Sequence, residues 1–439
     1  MWSVYLDSNP IRTASTRGLG LVSRRAYYGP LAPLRSRQIS KAPLPGRQWV
    51  RVRNTLAGIS GTDIAQVHLR LHSQVSLAAL PRRSRLYLGH EVVGEVREIG
   101  PDVAFLRVGD RVAYQFDQFC ATRGIEPLCR QCAVGNFALC ENRYLPGPAA
   151  IGGGWSDEMI LHERQLYLVP DDLSDEQAVL LDPAAVALHT VLRCPPQPSE
   201  NVLVIGGGTI GLLTTQVARI LAPNASVATV ARYPAQVEMA TRMGATRILY
   251  EDEGMAAVAG HTGGRRYKRR FGPEVLIGGF DVVFDTIGSP ETMQNAILWT
   301  RGGGVVVQAG THLAPSSVDL TPIWHQELTI VGSTGHGSET WPSDAGPAPW
   351  VGWTGDNGAQ ATTFALAAAL MRDQRLTPQL LITHRFPLQE FRQALSVAKD
   401  KRTHNSIKVL LDGHTRGSRT SQPARTGVAR TAAARAQVR

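Results

Sequence analysis

Residues Val202-Leu203-Val204-Ile205-Gly206-Gly207-Gly208-Thr209-Ile210-Gly211 decide the fold. The apolar run that ends at Ile205 reads as a buried strand, and the stretch from Ile210 to Leu221 reads as a helix. Between them lies a Gly-x-Gly-x-x-Gly turn. Such a triplet is weak evidence alone, but placed between strand and helix it marks a dinucleotide cradle. Gly206 permits the tight turn, Gly208 lets backbone approach a pyrophosphate, and Gly211 lets the helix pack on the strand. The helix N-terminus at Thr209 and Ile210 then offers unpaired N–H groups to the phosphates.

Working outward toward the C-terminus, strands are expected over 225–231, 280–285 and 304–309, and helices over 234–243 and 290–299. Alternation of this kind predicts an α/β unit with a doubly wound parallel sheet. The end of the second strand selects the dinucleotide. An acidic residue there accepts hydrogen bonds from ribose hydroxyls, yet this sequence has Ala231 followed by Arg232. A guanidinium pairs with a 2′-phosphate, so NADP is expected over NAD, unless Arg232 is a solvated loop charge.

Working outward toward the N-terminus, short β-branched runs such as 49–53, 92–96 and 109–113 alternate with Gly and Pro. This half is mainly β. Beyond a long loop over 338–358, a helix (359–372), a short strand, a helix (388–399) and a last strand (407–411) are expected. That end is too short for a domain, so it returns to complete the first one.

The chain has 439 residues and 43% apolar content, enough for two buried cores, and no run of 18 apolar residues for a membrane span. The net charge of +10 suggests nucleic acid, but six arginines and no acid fall in residues 413–439, leaving about +4 for the rest. This Ala-, Thr- and Ser-rich tail is expected to be disordered. A second basic run, 265–270, reads as a solvated loop, and neither a nucleic-acid nor a membrane partner is expected. The Arg-rich N-terminus could serve as a transit peptide, although residues 2–6 also read as a strand. A cytoplasmic location is the default expectation.

Three of the five cysteines form Cys129-x2-Cys132-x7-Cys140, the spacing of a structural zinc lobe. Glu126 extends the x2 spacing and is favoured as fourth ligand over Cys120, which lies nine residues upstream of Cys129. Reduced, buried cysteines without metal are the alternative. Cys194 reads as merely structural.

With these pieces in place the chain resembles the medium-chain dehydrogenase/reductase superfamily, in particular its zinc-dependent alcohol, polyol and sugar dehydrogenases. The similarity runs over 48–411. It is carried by Gly58-Ile59-Ser60-Gly61-Thr62-Asp63, Gly89-His90-Glu91 with Gly94, Val108-Gly109-Asp110-Arg111-Val112, the cysteine lobe and the glycine turn. The resemblance implies a GroES-like β-rich catalytic domain (1–184 and 335–412), a Rossmann domain (185–334) and an assembly as homodimer or homotetramer.

It further implies a catalytic zinc that polarises a small alcohol or carbonyl substrate. Its ligands would be His90, Glu91 and Asp182, with Thr62 relaying the substrate proton and Asp63 orienting His90. Thr286 and Lys408 fall where the family contacts the cofactor, Lys408 near the pyrophosphate. Ser60 departs from the pattern, because the family has a zinc-binding Cys there and a neutral hydroxyl is a poorer donor. Two other readings follow from that departure: a zinc-independent quinone or enoyl reductase of the same superfamily, and a non-catalytic NADP-sensing protein. The basic stretch at 73–86 is expected to reshape the substrate entrance.

Overall fold

The computed structural model describes residues 1–70, 85–145, 147–272, 274–311, 315, 317–340 and 360–413. Around the glycine turn, six parallel strands lie in the order Arg247–Leu249, Ser226–Val230, Asn201–Ile205, Phe280–Asp285, Thr300–Gln308 and Thr329–Gly332. The chain winds outward in both directions from Asn201–Ile205, so a crevice opens at the carboxyl end of that strand. Val202 and Val204 face Leu212 and Val217 of the helix Thr209–Leu221. Leu203 and Ile205 pack on the opposite side with Val258, Ala296 and Trp299. Burial on both faces explains why this strand is apolar without alternation.

A second sheet is built on the long strand Trp49–Gly58. It pairs with Val92–Ile99 on one edge, and with Glu158–His162 and Lys408–Asp412 on the other. Lys408–Asp412 also runs parallel to Ile382–Pro387, so the end of the described chain completes the sheet its beginning started. The helix Leu181–Leu192 packs between the two bodies, its Leu181, Ala184, Leu188 and Val191 fully buried in a core shared with Val204 and Phe364. Apolar contact on nearly every side leaves this helix little freedom, and Asp182 rides in its first turn.

Several expectations are corrected. The basic run is in part a strand, Arg265–Tyr267, paired with Val275–Ile277, although its side chains are exposed as anticipated. The helix expected from residue 359 starts at Thr363, because Gln360–Thr362 pairs with Ser338–Thr340 and the Thr362 hydroxyl caps the helix. Trp2–Asp7 is a strand between Leu34–Gln38 and Arg85–Tyr87, and the helix Pro10–Val22 follows it without having been anticipated. Residues 73–84, 341–358 and 414–439, and with them most of the entrance insertion, the long loop and the basic tail, lie outside the described residues. Among the described residues, no helix is long and apolar enough to cross a membrane.

Candidate active site

The glycine turn closes against its neighbours in ways only glycine allows. Gly206 has φ of 127°, and a Cβ there would sit 2.5 Å from Thr286 Oγ1. A Cβ on Gly211 would come within 1.8 Å of the Gly206 carbonyl oxygen, so helix and turn touch only because none exists. The Thr286 hydroxyl donates to the Ile205 carbonyl at 2.9 Å and fixes the turn from the adjacent strand end. The helix start at Gly208 has no side-chain cap, which leaves the N–H groups of Thr209 and Ile210 for a ligand. A cleft of about 880 Å³ runs along this turn.

Two charged groups on that cleft were not foreseen. Glu251 accepts two N–H groups of Arg232 on one oxygen, Oε2, so the anticipated phosphate-binding cation has a carboxylate on it. Lys401, just past the helix Phe391–Lys399, brings its Nζ to 3.6 Å from where a Gly208 Cβ would lie. Burial and the nearby Lys408 charge depress the Lys401 pKa. Lys408 lines the same cleft, with its charge already engaged. Its ammonium is buried on both oxygens of Glu91, at 2.6 and 2.8 Å, and also reaches the Ile59 carbonyl. A cation so committed is not free for a pyrophosphate.

A second cavity of about 590 Å³ shares His90 and Asp182 with the cofactor cleft. His90 Nε2 lies 4.0 Å from Asp182 Oδ2, and His90 Nδ1 lies 3.9 Å from Asp63 Oδ1. Burial opposes a charge on His90, yet Asp63, Asp182 and Glu91 outweigh it and raise its pKa. For Asp182 burial again opposes ionisation, while the His336 hydrogen bond and the His90 charge hold its pKa down. Glu91 goes the other way, raised by burial in spite of Lys408. His336, whose Nε2 sits 3.6 Å from Asp182 Oδ1, was not anticipated; a lone histidine in a glycine-rich stretch carries no spacing signal.

Ser60 is spent locally. It caps the helix Gly61–Val67, its hydroxyl donating to Asp63 Oδ2 at 2.7 Å and accepting from the Asp63 N–H. Asp63 in return accepts the Ser60 N–H and, through Oδ1, the Gly89 N–H. The carboxylate thereby ties the start of this helix to the His90 segment. Thr62, half-buried, lines the cofactor cleft beside them.

The cysteine lobe closes differently from its expected form. Cys120, Cys129, Cys132 and Cys140 bring one sulfur each within 4.8 Å of all the others, and none forms a disulfide. Cys120 and Cys140 are 3.7 Å apart, against about 3.8 Å for the edge of a tetrahedron with zinc–sulfur bonds of about 2.3 Å. Glu126 is exposed and stands outside the cluster, so Cys120 takes the fourth corner. The physical reason is the tight turn Ala121–Arg123 with Gly124 at φ 63°, which folds Cys120 back over Cys129. The Cys129 N–H and the Asn142 amide donate to its sulfur. Four soft donors at tetrahedral spacing fit zinc.

Residues 46–171 match the alcohol dehydrogenase GroES-like domain, and residues 209–346 match the zinc-binding dehydrogenase domain. The chain belongs to the zinc-dependent medium-chain dehydrogenase/reductase superfamily. It is an NAD(P)-dependent, alcohol-dehydrogenase-like oxidoreductase. Among the relatives of this superfamily, the L-idonate 5-dehydrogenase of Vitis vinifera is 27% identical over 378 residues, covering 84% of this chain and 89% of its own. The sorbitol dehydrogenase of Arabidopsis thaliana is 26% identical over 371 residues, covering 84% and 90%. The 2R,3R-butanediol dehydrogenase of Bacillus subtilis shares the fold with a TM-score of 0.65 at 23% identity, over 86% of this chain and 96% of that one.

Measured against the superfamily's zinc chemistry, the His90 centre fits less tightly than the lobe. His90, Glu91 and Asp182 each bring a ligand atom within 4.8 Å of the others, an N/O donor set acceptable to zinc. Their 4.0 Å His90–Asp182 separation exceeds the about 3.4 Å edge that bonds of about 2.1 Å would give. No thiolate stands among them.

Proposed function

We propose that this protein is a zinc-containing, NADP-preferring dehydrogenase, passing a hydride between the nicotinamide ring and a secondary alcohol, polyol or sugar hydroxyl, or the corresponding carbonyl. The observation that carries the reading is that the cofactor cleft and the second cavity meet at His90 and Asp182. A substrate carbon in one cavity and a nicotinamide in the other would face each other across these two side chains. The polyol and sugar-acid names of the relatives support this substrate range.

Residues 185–334 serve as the cofactor domain, and residues 1–184 with 335–412 as the catalytic domain. The Thr209 and Ile210 N–H groups and the Lys401 ammonium hold the pyrophosphate, and Arg232 exchanges Glu251 for the 2′-phosphate. His90, Asp182 and Glu91 would hold the catalytic zinc, which supplies Lewis-acid polarisation of the substrate oxygen when bound. Asp63, anchored by Ser60 and Gly89, faces His90 Nδ1 and fixes which ring nitrogen carries the proton. Thr62 takes the substrate hydroxyl proton and hands its own onward. The enzyme works as a homodimer or homotetramer in the cytoplasm, a setting that suits five free cysteines.

The test is polyol oxidation by the purified protein with NADP and NAD, together with zinc analysis. Two zinc ions per chain, a kcat/KM at least tenfold higher with NADP, and a roughly hundredfold loss of kcat in Thr62→Val are expected. Failure to bind either dinucleotide would overturn the reading. A zinc-independent quinone or enoyl reductase is the second reading, favoured by the prior engagement of Ser60 with Asp63 and of Glu91 with Lys408. One zinc per chain, lost in Cys120→Ser, with turnover indifferent to chelators, would support it instead.

A further inference from the structure

The wall of the second cavity is not that of a pocket for a simple alcohol. Its approach carries two guanidiniums, Arg85 and Arg143. Each is anchored at one edge: Arg85 lies over the Tyr5 ring and bonds to Tyr87, while Arg143 lies over Tyr144 and donates to the Ala138 carbonyl at 2.8 Å. Neither forms an ion pair among the described residues; Asp7, opposite Arg85 across the strands, acts on it only from farther away. A guanidinium has five N–H donors, so each retains several for a ligand, in the planar fork that matches a carboxylate or phosphate.

The carboxylates of the same wall do not cancel them. Asp63 is turned to Ser60 and Gly89, and Asp182 to His90 and His336. Only Asp117 remains, accepting the Gln118 N–H. Deeper in the wall, Gln115 Nε2 and His336 Nδ1 are buried without a hydrogen-bond partner among the described residues. His336 is wedged against Phe116 and Phe364, at 5.1 and 4.8 Å between ring centres, so it cannot turn to find one elsewhere. Both atoms are closed off from the cavity and take no part in holding a ligand.

We infer that the substrate is an anionic polyol, a polyhydroxylated carboxylate or phosphate ester, whose charged end is gripped by Arg85 and Arg143. This rests on the dehydrogenase reading above and narrows it from neutral and charged polyols to charged ones. The carbon oxidised is one that lies beside His90 and Asp182 when the anion sits at the arginines.

The test compares sorbitol, gluconate and sorbitol 6-phosphate, by turnover with NADP and by calorimetric binding to the protein–NADPH complex. At least one anion is expected to bind tenfold or more tightly than sorbitol, with an affinity that weakens as salt is added. The gluconate and phosphate arms separate the two kinds of anion. Arg85→Gln and Arg143→Gln should each weaken the preferred anion about tenfold, leave sorbitol within twofold, and leave NADPH affinity unchanged as a check on folding. Equal binding of all three compounds, binding of none, or equal losses for sorbitol and the anion in both variants would overturn the inference. If NADPH binds and sorbitol is oxidised without preference for an anion, only this inference fails. If no dinucleotide binds, the dehydrogenase reading itself falls.

Discussion

The cysteine lobe and the His90 centre are both built from metal-binding side chains, yet they are assembled in opposite ways. The lobe draws all four donors from residues 120–140, and its sulfurs meet one another and a few N–H groups. The His90 centre gathers Ser60, Asp63, His90, Glu91, Asp182, His336 and Lys408 from across the chain, and most of them already bond to one another. A short contiguous loop makes a closed site whose donors have no competing partners. A site at the junction of two bodies is an equilibrium among partners, where an ion or substrate has to displace something.

The largest effect should separate the two sites through Cys120. Cys120→Ser is expected to release one zinc per chain and lower the apparent Tm by about 10 °C, whereas Glu126→Gln leaves zinc content and Tm unchanged. Zinc retained in Cys120→Ser would remove the contrast. Next comes Lys408→Met, which strands the Glu91 carboxylate in a site where both groups are almost fully buried. A loss of about 3–5 kcal/mol in denaturant unfolding is expected, most of it recovered in the double variant with Glu91→Gln. A double variant no better than the single one would show that Lys408 acts through something other than this pair.

Ser60→Ala should be milder, costing about 1 kcal/mol as a lost helix cap while zinc content stays the same. A drop in zinc would make Ser60 a ligand after all. The smallest effect lies away from both sites and serves as their baseline. His162 accepts the Arg164 N–H on Nδ1 and faces Gln48 through Nε2, and burial lowers its pKa to about 4. Since that is below the ordinary value of about 6.5, its contribution is complete above pH 6.5 and fades as pH falls toward 4. The pH profile of Tm over this window should flatten in His162→Gln. An unchanged profile would mean that other groups govern acid stability.

Local signals proved readable and long-range ones did not. Asn201–Ile205, Phe280–Asp285 and the helix Pro290–Trp299 fall where the apolar pattern puts them, because burial on both sides writes itself directly into consecutive residues. The capping role of Ser60 is equally local, written in Asp63 three residues on. Cys120 lost to Glu126 because regular spacing counts residues along the chain, while Gly124 turns the chain back on itself. Lys408 was placed near the cofactor by analogy, and its ammonium went to a carboxylate 317 residues earlier. Nothing in the neighbourhood of His336 or Lys401 distinguishes either from a surface residue until the fold brings Asp182 and Gly208 beside them.

The strand Lys408–Asp412 has a consequence for how the protein is made. It is the partner of Trp49–Gly58, and it carries the only ammonium on Glu91 among the described residues. At a ribosome moving about 5–20 residues per second, those 317 residues take roughly 15–60 s to emerge. For that interval the nascent β half waits with an open strand edge and an uncompensated acid, while the parallel sheet between forms from neighbours already synthesised. The His90 centre therefore closes late, sealed by a strand that emerges long after the one it pairs with.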